Sequence, residues 1–199
     1  MATAATLPRT GTVLADLLPA QAGGRARVRD AALIVGGAAL TGLTAQIAVP
    51  VPGSPVPVSG QTFAALLVGT ALGARRGFLS LALYAVAGVV GMPWFAEARS
   101  GAAFPSFGYV LGMLLAATVV GALARRGADR SVLRTAGTMA LGSAIIYAVG
   151  VPYLALATHM SFAEAVAAGL TPFLIGDVLK AALAMGALPT AWKLLGRRG

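Results

Sequence analysis

Apolar residues run through this chain in six blocks, at about 31–49, 59–74, 77–92, 107–124, 133–157 and 170–195, and polar residues gather between them. A membrane-spanning helix needs about 20 predominantly apolar residues. The blocks therefore predict an all-α membrane protein, a bundle of six transmembrane helices. The second and third blocks are short and meet at Gly73-Ala-Arg-Arg-Gly77, which predicts a tilted or partly buried hairpin.

The cations orient this bundle. Of fifteen Lys and Arg residues, thirteen fall in four zones: Arg9 to Arg29, Arg75 and Arg76, Arg125 to Arg134, and Lys193 to Arg198. Those zones alternate with the apolar blocks, and cytoplasmic loops carry the excess of Lys and Arg. Both termini are thus predicted to be cytoplasmic. The connectors at 50–58, 93–106 and 158–169 are assigned outside, with Arg99 their only cation. Residues 1–28 read as a mobile cytoplasmic extension with a short amphipathic turn at 13–18, residues 29–196 as the membrane domain, and 197–199 as a cytoplasmic tail.

Composition narrows the chemistry. The chain is 58% hydrophobic and 11% charged, against about 25% charged in a soluble domain. It has no Cys and a single His159, so no thiolate or His-rich metal site is expected. The net charge of +9 flanks apolar blocks instead of forming a basic face, which argues against nucleic acid as a partner. No phosphate-binding loop, His-Glu-x-x-His or Gly-x-Ser-x-Gly motif occurs. Neither catalysis nor a cofactor is predicted, and energy for any pumping has to come from a partner or an ion gradient.

Candidate binding residues lie at the outer block ends. Pro50, Pro52, Pro55 and Pro57 cannot continue a helix; they make a stiff connector or a preorganised lid. Gln61 enters an apolar block with both donor and acceptor capacity, as a ligand contact or a helix cap. Trp94 and Phe95 read as interfacial belt residues or as the apolar wall of a site, and Arg99 and Glu97 as a solvated pair. Tyr109 offers an amphipathic ring. Asp177 and Lys180, three residues apart and so on one helix face, are charges inside an apolar block, an expensive placement that marks a functional site by default. They form a self-neutralising structural pair or the polar end of a ligand pocket. Ala32 with Gly36 and Ala38 with Gly42 are small residues four apart, which allow close helix approach, within the bundle or against another membrane subunit.

The order of these motifs resembles the BioY family, the biotin-binding S components of energy-coupling factor (ECF) vitamin transporters, from about residue 31 to 195. Ala45-Gln-Ile-Ala-Val-Pro-Val-Pro-Gly-Ser-Pro-Val-Pro-Val-Ser-Gly-Gln-Thr62 looks like the family's first loop, and Leu72-Gly-Ala-Arg-Arg-Gly-Phe-Leu-Ser80 and Gly91-Met-Pro-Trp-Phe95 like parts of its second and third helices. Pro105-Ser-Phe-Gly-Tyr-Val-Leu-Gly112 is similar to its Pro-Thr-Gly-Gly-Tyr turn, and Pro172-Phe-Leu-Ile-Gly-Asp-Val-Leu-Lys180 to its Pro-Phe-x-x-Gly-Asp-x-x-Lys. Phe107 replaces a usual Gly, and 97–103 lacks the family's Gly-rich run.

The resemblance implies a membrane subunit that takes biotin from outside a bacterial cell, in the plasma membrane. Its implied partners are the lipid bilayer, an ECF transmembrane coupling subunit and ABC-type ATPases. Biotin's ureido N–H groups suit Asp177, its carboxylate suits Lys180 or Arg99, its apolar rings suit Trp94, Phe95 and Tyr109, and Gln61 is left for a remaining polar group. Ala32, Gly36, Ala38 and Gly42 become the expected coupling face. The alternatives are an S component for another vitamin, an ion-coupled solitary carrier, and a non-transporting membrane scaffold.

Overall fold

A computed structural model describes residues 11–18 and 24–196. Seven α-helices follow in order: α1 Gly24–Ala45, α2 Gln61–Leu72, α3 Ala74–Val89, α4 Phe107–Arg125, α5 Val132–Thr158, α6 Phe162–Gly169 and α7 Leu174–Gly196. By length and apolar composition, four segments among the described residues can cross a membrane: α1, α4, α5, and 162–195, which spans α6 and nearly all of α7. At about 1.5 Å per residue, the 12 residues of α2 and 16 of α3 reach only about 18 and 24 Å, short of the roughly 30 Å hydrocarbon core. The glycine between them explains the tight turn: Gly73 has φ +84, a conformation that needs no Cβ.

Three expectations change at this level. The first apolar block does not stay helical to its end. The helix stops at Ala45, and Ala48–Val49 (β1) pairs antiparallel with Val58–Ser59 (β2), Ala48 opposite Ser59. The four prolines sit in and beside the tip of this hairpin, where missing N–H donors cost no ladder bonds. The connector at 158–169 holds a helix, α6, started by a capping box in which the Ser161 side chain accepts from the Glu164 N–H and Glu164 from the Ser161 N–H. The Ser-x-x-Glu spacing carried that signal in the sequence. Finally, residues 11–18, assigned above to a mobile extension, are packed: Val13 is fully buried in the core cluster. Asp16 holds this strap to Arg76 at 2.7 Å.

Packing centres on α4, which lies against α2, α3 and α5. Small residues make it close. A Cβ on Gly69 would come within 2.4 Å of the Ala117 carbonyl oxygen, and one on Gly121 within 2.5 Å of the Ala74 nitrogen. The expected coupling face on α1 divides. Ala38 is buried, and a Cβ on Gly42 would stand 2.8 Å from the Trp94 ring. Gly42 packs within the bundle because the loop after α3 folds back over it, Ala38 belongs to the core cluster, and of the four only Ala32 and Gly36 face outward.

Candidate functional site

The C-terminal end of α1 and the N-terminal ends of α2, α4 and α7 come together at one end of the bundle, opposite the arginine-rich end. Lys180 Nζ donates to Thr62 Oγ1 at 2.7 Å and stands 3.5 Å from Asp177 Oδ1, while the Tyr147 hydroxyl of α5 donates to Asp177 Oδ2. The Lys180 and Asp177 side chains are only 19% and 15% exposed. Burial of either charge alone would be costly, and pairing with added hydrogen bonds offsets it.

Gln61, the first residue of α2, is nearly buried beside them. Its Oε1 accepts from the Tyr84 hydroxyl at 2.8 Å, and its Nε2 has no hydrogen-bond partner among the described residues. Tyr84 is held in turn by its ring contacts with Trp94 and Phe95, centroids 5.3 and 5.2 Å away, and by the Trp94 indole N–H on its carbonyl oxygen at 2.9 Å. The Tyr109 hydroxyl donates to the Gly169 carbonyl oxygen at 2.7 Å, joining α4 to the end of α6.

Gln61, Tyr109, Asp177 and Lys180 line one small pocket, with Pro57 and Val56 of the hairpin and Phe173 beside them. Trp94, Phe95 and Arg99 do not line it. Trp94 stands behind Tyr84, Phe95 is buried among Tyr84, Phe104 and Phe107, and Arg99 pairs with Glu97 at 2.7 Å with a 41% exposed side chain. Pro50, Pro52 and Pro55 stand away from the lining, and Pro57 alone of the four prolines reaches it. The sequence pattern did not single out Thr62, Tyr84 or Tyr147. The two tyrosines carried a signal: each is a hydroxyl inside an apolar block, and a buried Tyr O–H ordinarily finds a partner.

The pocket holds about 20 Å³, room for roughly one water and far below the 300 Å³ or more of a typical ligand site. Beside it lies an apolar cleft of about 800 Å³ between α5, α6 and α7, which shares Tyr147 and Asp177 with it. Chemically the closed pocket offers the unused Gln61 Nε2 donor, an ammonium and remaining carboxylate lone pairs, next to aromatic surface. That set complements a neutral group carrying adjacent N–H donors and a carbonyl.

The fold defines a helical protein with several segments able to cross a membrane, in the S-component fold. A solved structure, the S component for biotin from an ECF-type ABC transporter, superimposes with a TM-score of 0.76 over 90% of this chain and 96% of that one, at 19% identity. The chain belongs to the BioY family, whose model matches residues 17–197. It is 33% identical to the probable biotin transporter BioY of Pyrococcus horikoshii over 80% of this chain and 93% of that protein. It is also 35% identical to the biotin transporter BioY of Thermotoga maritima, over 68% of this chain and 80% of its relative.

Proposed function

We propose that this chain is the biotin-capturing membrane subunit of an ECF-type uptake system, with six spans, both termini cytoplasmic and the pocket facing outward in a bacterial plasma membrane. The arginines at the starts of α1 and α3 and the end of α4, and Lys193 near the end of α7, all fall at one end of the bundle, in keeping with that orientation. The observation that carries the ligand is the buried Asp177–Lys180 pair beside Gln61. Asp177 and Lys180 are adjacent, so one end of the ligand meets both. A ureido group fits: an N–H to Asp177, and its carbonyl to Lys180 or Gln61 Nε2. The carboxylate then points away from this pair, and Arg99, exposed on the loop after α3, is the other outer cation available to it.

The pocket opens before it fills, since about 20 Å³ holds no vitamin. For that, the hairpin bearing Pro57 and the start of α7, which wall the pocket, have to separate, and displacement of Tyr147, which lines both spaces, would join the pocket to the apolar cleft. The face that meets the coupling subunit is the outward side of α1 at Ala32 and Gly36. There a groove of about 450 Å³ runs between α1, α2 and α7. ATP is hydrolysed in partner ATPases.

Isothermal titration of biotin into the purified protein, cleared of endogenous ligand, tests this. One-to-one submicromolar binding that weakens in Asp177→Asn is the expected result. A folded sample that gives no heat and gains no thermal protection from biotin would overturn it.

A further inference from the structure

At the end of the bundle away from the pocket lies a cleft of about 540 Å³, walled by Arg27, Arg75, Arg76 and Arg125 and floored by Ile34 and Leu79. Its charges are unequally satisfied. Arg76 binds Asp16 at 2.7 Å and Asp30 at 3.1 Å, and Arg125 donates to the Gly11 carbonyl oxygen at 3.1 Å. Arg27 and Arg75 have no ion-pair partner among the described residues. With Arg29, which also pairs with Asp30 at 3.2 Å, five arginines face two carboxylates, Asp16 and Asp30, and three positive charges have no counterion among the described residues. Arg75 also lies in the first turn of α3, where the helix end adds its own positive potential.

The floor of the cleft continues along the bundle as exposed apolar surface: Val35 on α1 and Leu83 and Val86 on α3. A soluble anion would satisfy the arginines and leave that surface unused. A molecule with an anionic phosphate and long hydrocarbon chains would satisfy both, because guanidinium groups bind phosphate oxygens in bidentate fashion. Basic pockets between helices on the cytoplasmic side take lipid headgroups in this way. We infer that this cleft is a binding site for one anionic phospholipid, its phosphate between Arg27 and Arg75 and its acyl chains along α1 and α3.

The test uses full-length protein in uncharged detergent, titrated with phosphatidylglycerol or with phosphatidylcholine of the same chains, and native mass spectrometry reads the lipid retained. Retention of one phosphatidylglycerol, at least about tenfold over phosphatidylcholine, is expected, since one charge-assisted contact of this kind corresponds to about that factor. The double variant Arg27→Gln/Arg75→Gln removes the preference, and its melting temperature in lipid-free detergent stays unchanged because neither side chain is paired in the fold. Equal retention of the two lipids by the native protein would overturn the inference. So would an equal loss in a control variant, Arg126→Gln/Arg134→Gln, which keeps the cleft and lowers net charge alike. Displacement by glycerol phosphate at lipid concentrations would assign the cleft to soluble phosphates instead and overturn it too.

Discussion

Replacing Asp177 and Lys180 singly and together separates a pair that only holds the fold from one that binds ligand. The two side chains are mostly buried and 3.5 Å apart, and removing one partner of a buried pair costs about 3–5 kcal/mol because a charge is left uncompensated. Here Lys180 keeps the Thr62 hydroxyl, so Asp177→Asn falls at the low end of that range, about 3 kcal/mol of stability. Asp177→Asn/Lys180→Met leaves no isolated charge and recovers most of that loss, since neutral replacement of a buried pair is often close to neutral in stability. Affinity behaves differently. An N–H donated to the carboxylate is a charge-assisted bond of about 1.5–3 kcal/mol, so Asp177→Asn weakens biotin binding by about 10- to 150-fold. The double variant stays weak, because restored neutrality returns no acceptor of that strength. Titration calorimetry and thermal unfolding in the same detergent give both numbers. A double variant that binds biotin as tightly as the native chain would refute the reasoning and leave the pair a purely structural role.

Tyr147→Phe deletes the hydroxyl that orients Asp177 and weakens biotin binding about fivefold, the scale of one net hydrogen bond. In an Asp177→Asn background it adds little more by titration, since neighbours in one network are not additive; full additivity would place Tyr147 outside the site. Gly69→Ala puts a Cβ within 2.4 Å of the Ala117 carbonyl oxygen, which separates α2 from α4 and costs about 1–3 kcal/mol, visible as a lower melting temperature. For the strap at 11–18, burial opposes ionisation of Asp16, but the Arg76 guanidinium and the Val13 N–H outweigh it and hold the carboxyl below its ordinary range. Its folded pKa is therefore depressed, so its contribution is complete above the ordinary carboxylate range, near pH 4, and is lost as pH falls through the lowered value. Hydrogen exchange over 11–18 should be slower in the native chain than in Asp16→Asn at neutral pH, and the two should converge in acid. A gap that persists in acid would contradict this assignment.

Local signals and tertiary contacts divided the information unevenly. The polar contacts at Asp177 show it best. The three-residue spacing of Asp177 and Lys180 is enough to place them on one helix face, and their cost in an apolar block marks them as a site. Nothing local said that Thr62, from a block more than a hundred residues away, accepts a hydrogen bond from Lys180, or that Tyr147 holds the other Asp177 oxygen. Trp94 and Phe95 illustrate the converse. As aromatics in an outer loop they had the composition of a pocket wall, yet the loop folds back so that they pack behind Tyr84, with Trp94 over Gly42. The small residues of α1 were equally ambiguous: four-residue spacing gives a smooth face, but which part of it meets the rest of the chain depends on where α2, α3 and the loop after α3 settle.

By itself the sequence determined the helical membrane class, the alternation of apolar blocks with cationic zones and the family. These rest on properties each segment carries alone: an apolar length comparable to the bilayer, backbone hydrogen bonds closed within each helix and, Lys180 apart, cations that stay at or beyond the ends of the apolar blocks. The tertiary structure decided that the strap at 11–18 is packed, that Ala38 and Gly42 face inward, and that Gln61, Thr62, Tyr109, Tyr147, Asp177 and Lys180 close on one pocket. Those outcomes depend on close approach between segments distant in the chain, at positions such as Gly69 and Gly121 where one methyl group would push helices apart, and no single segment encodes which neighbour it will meet.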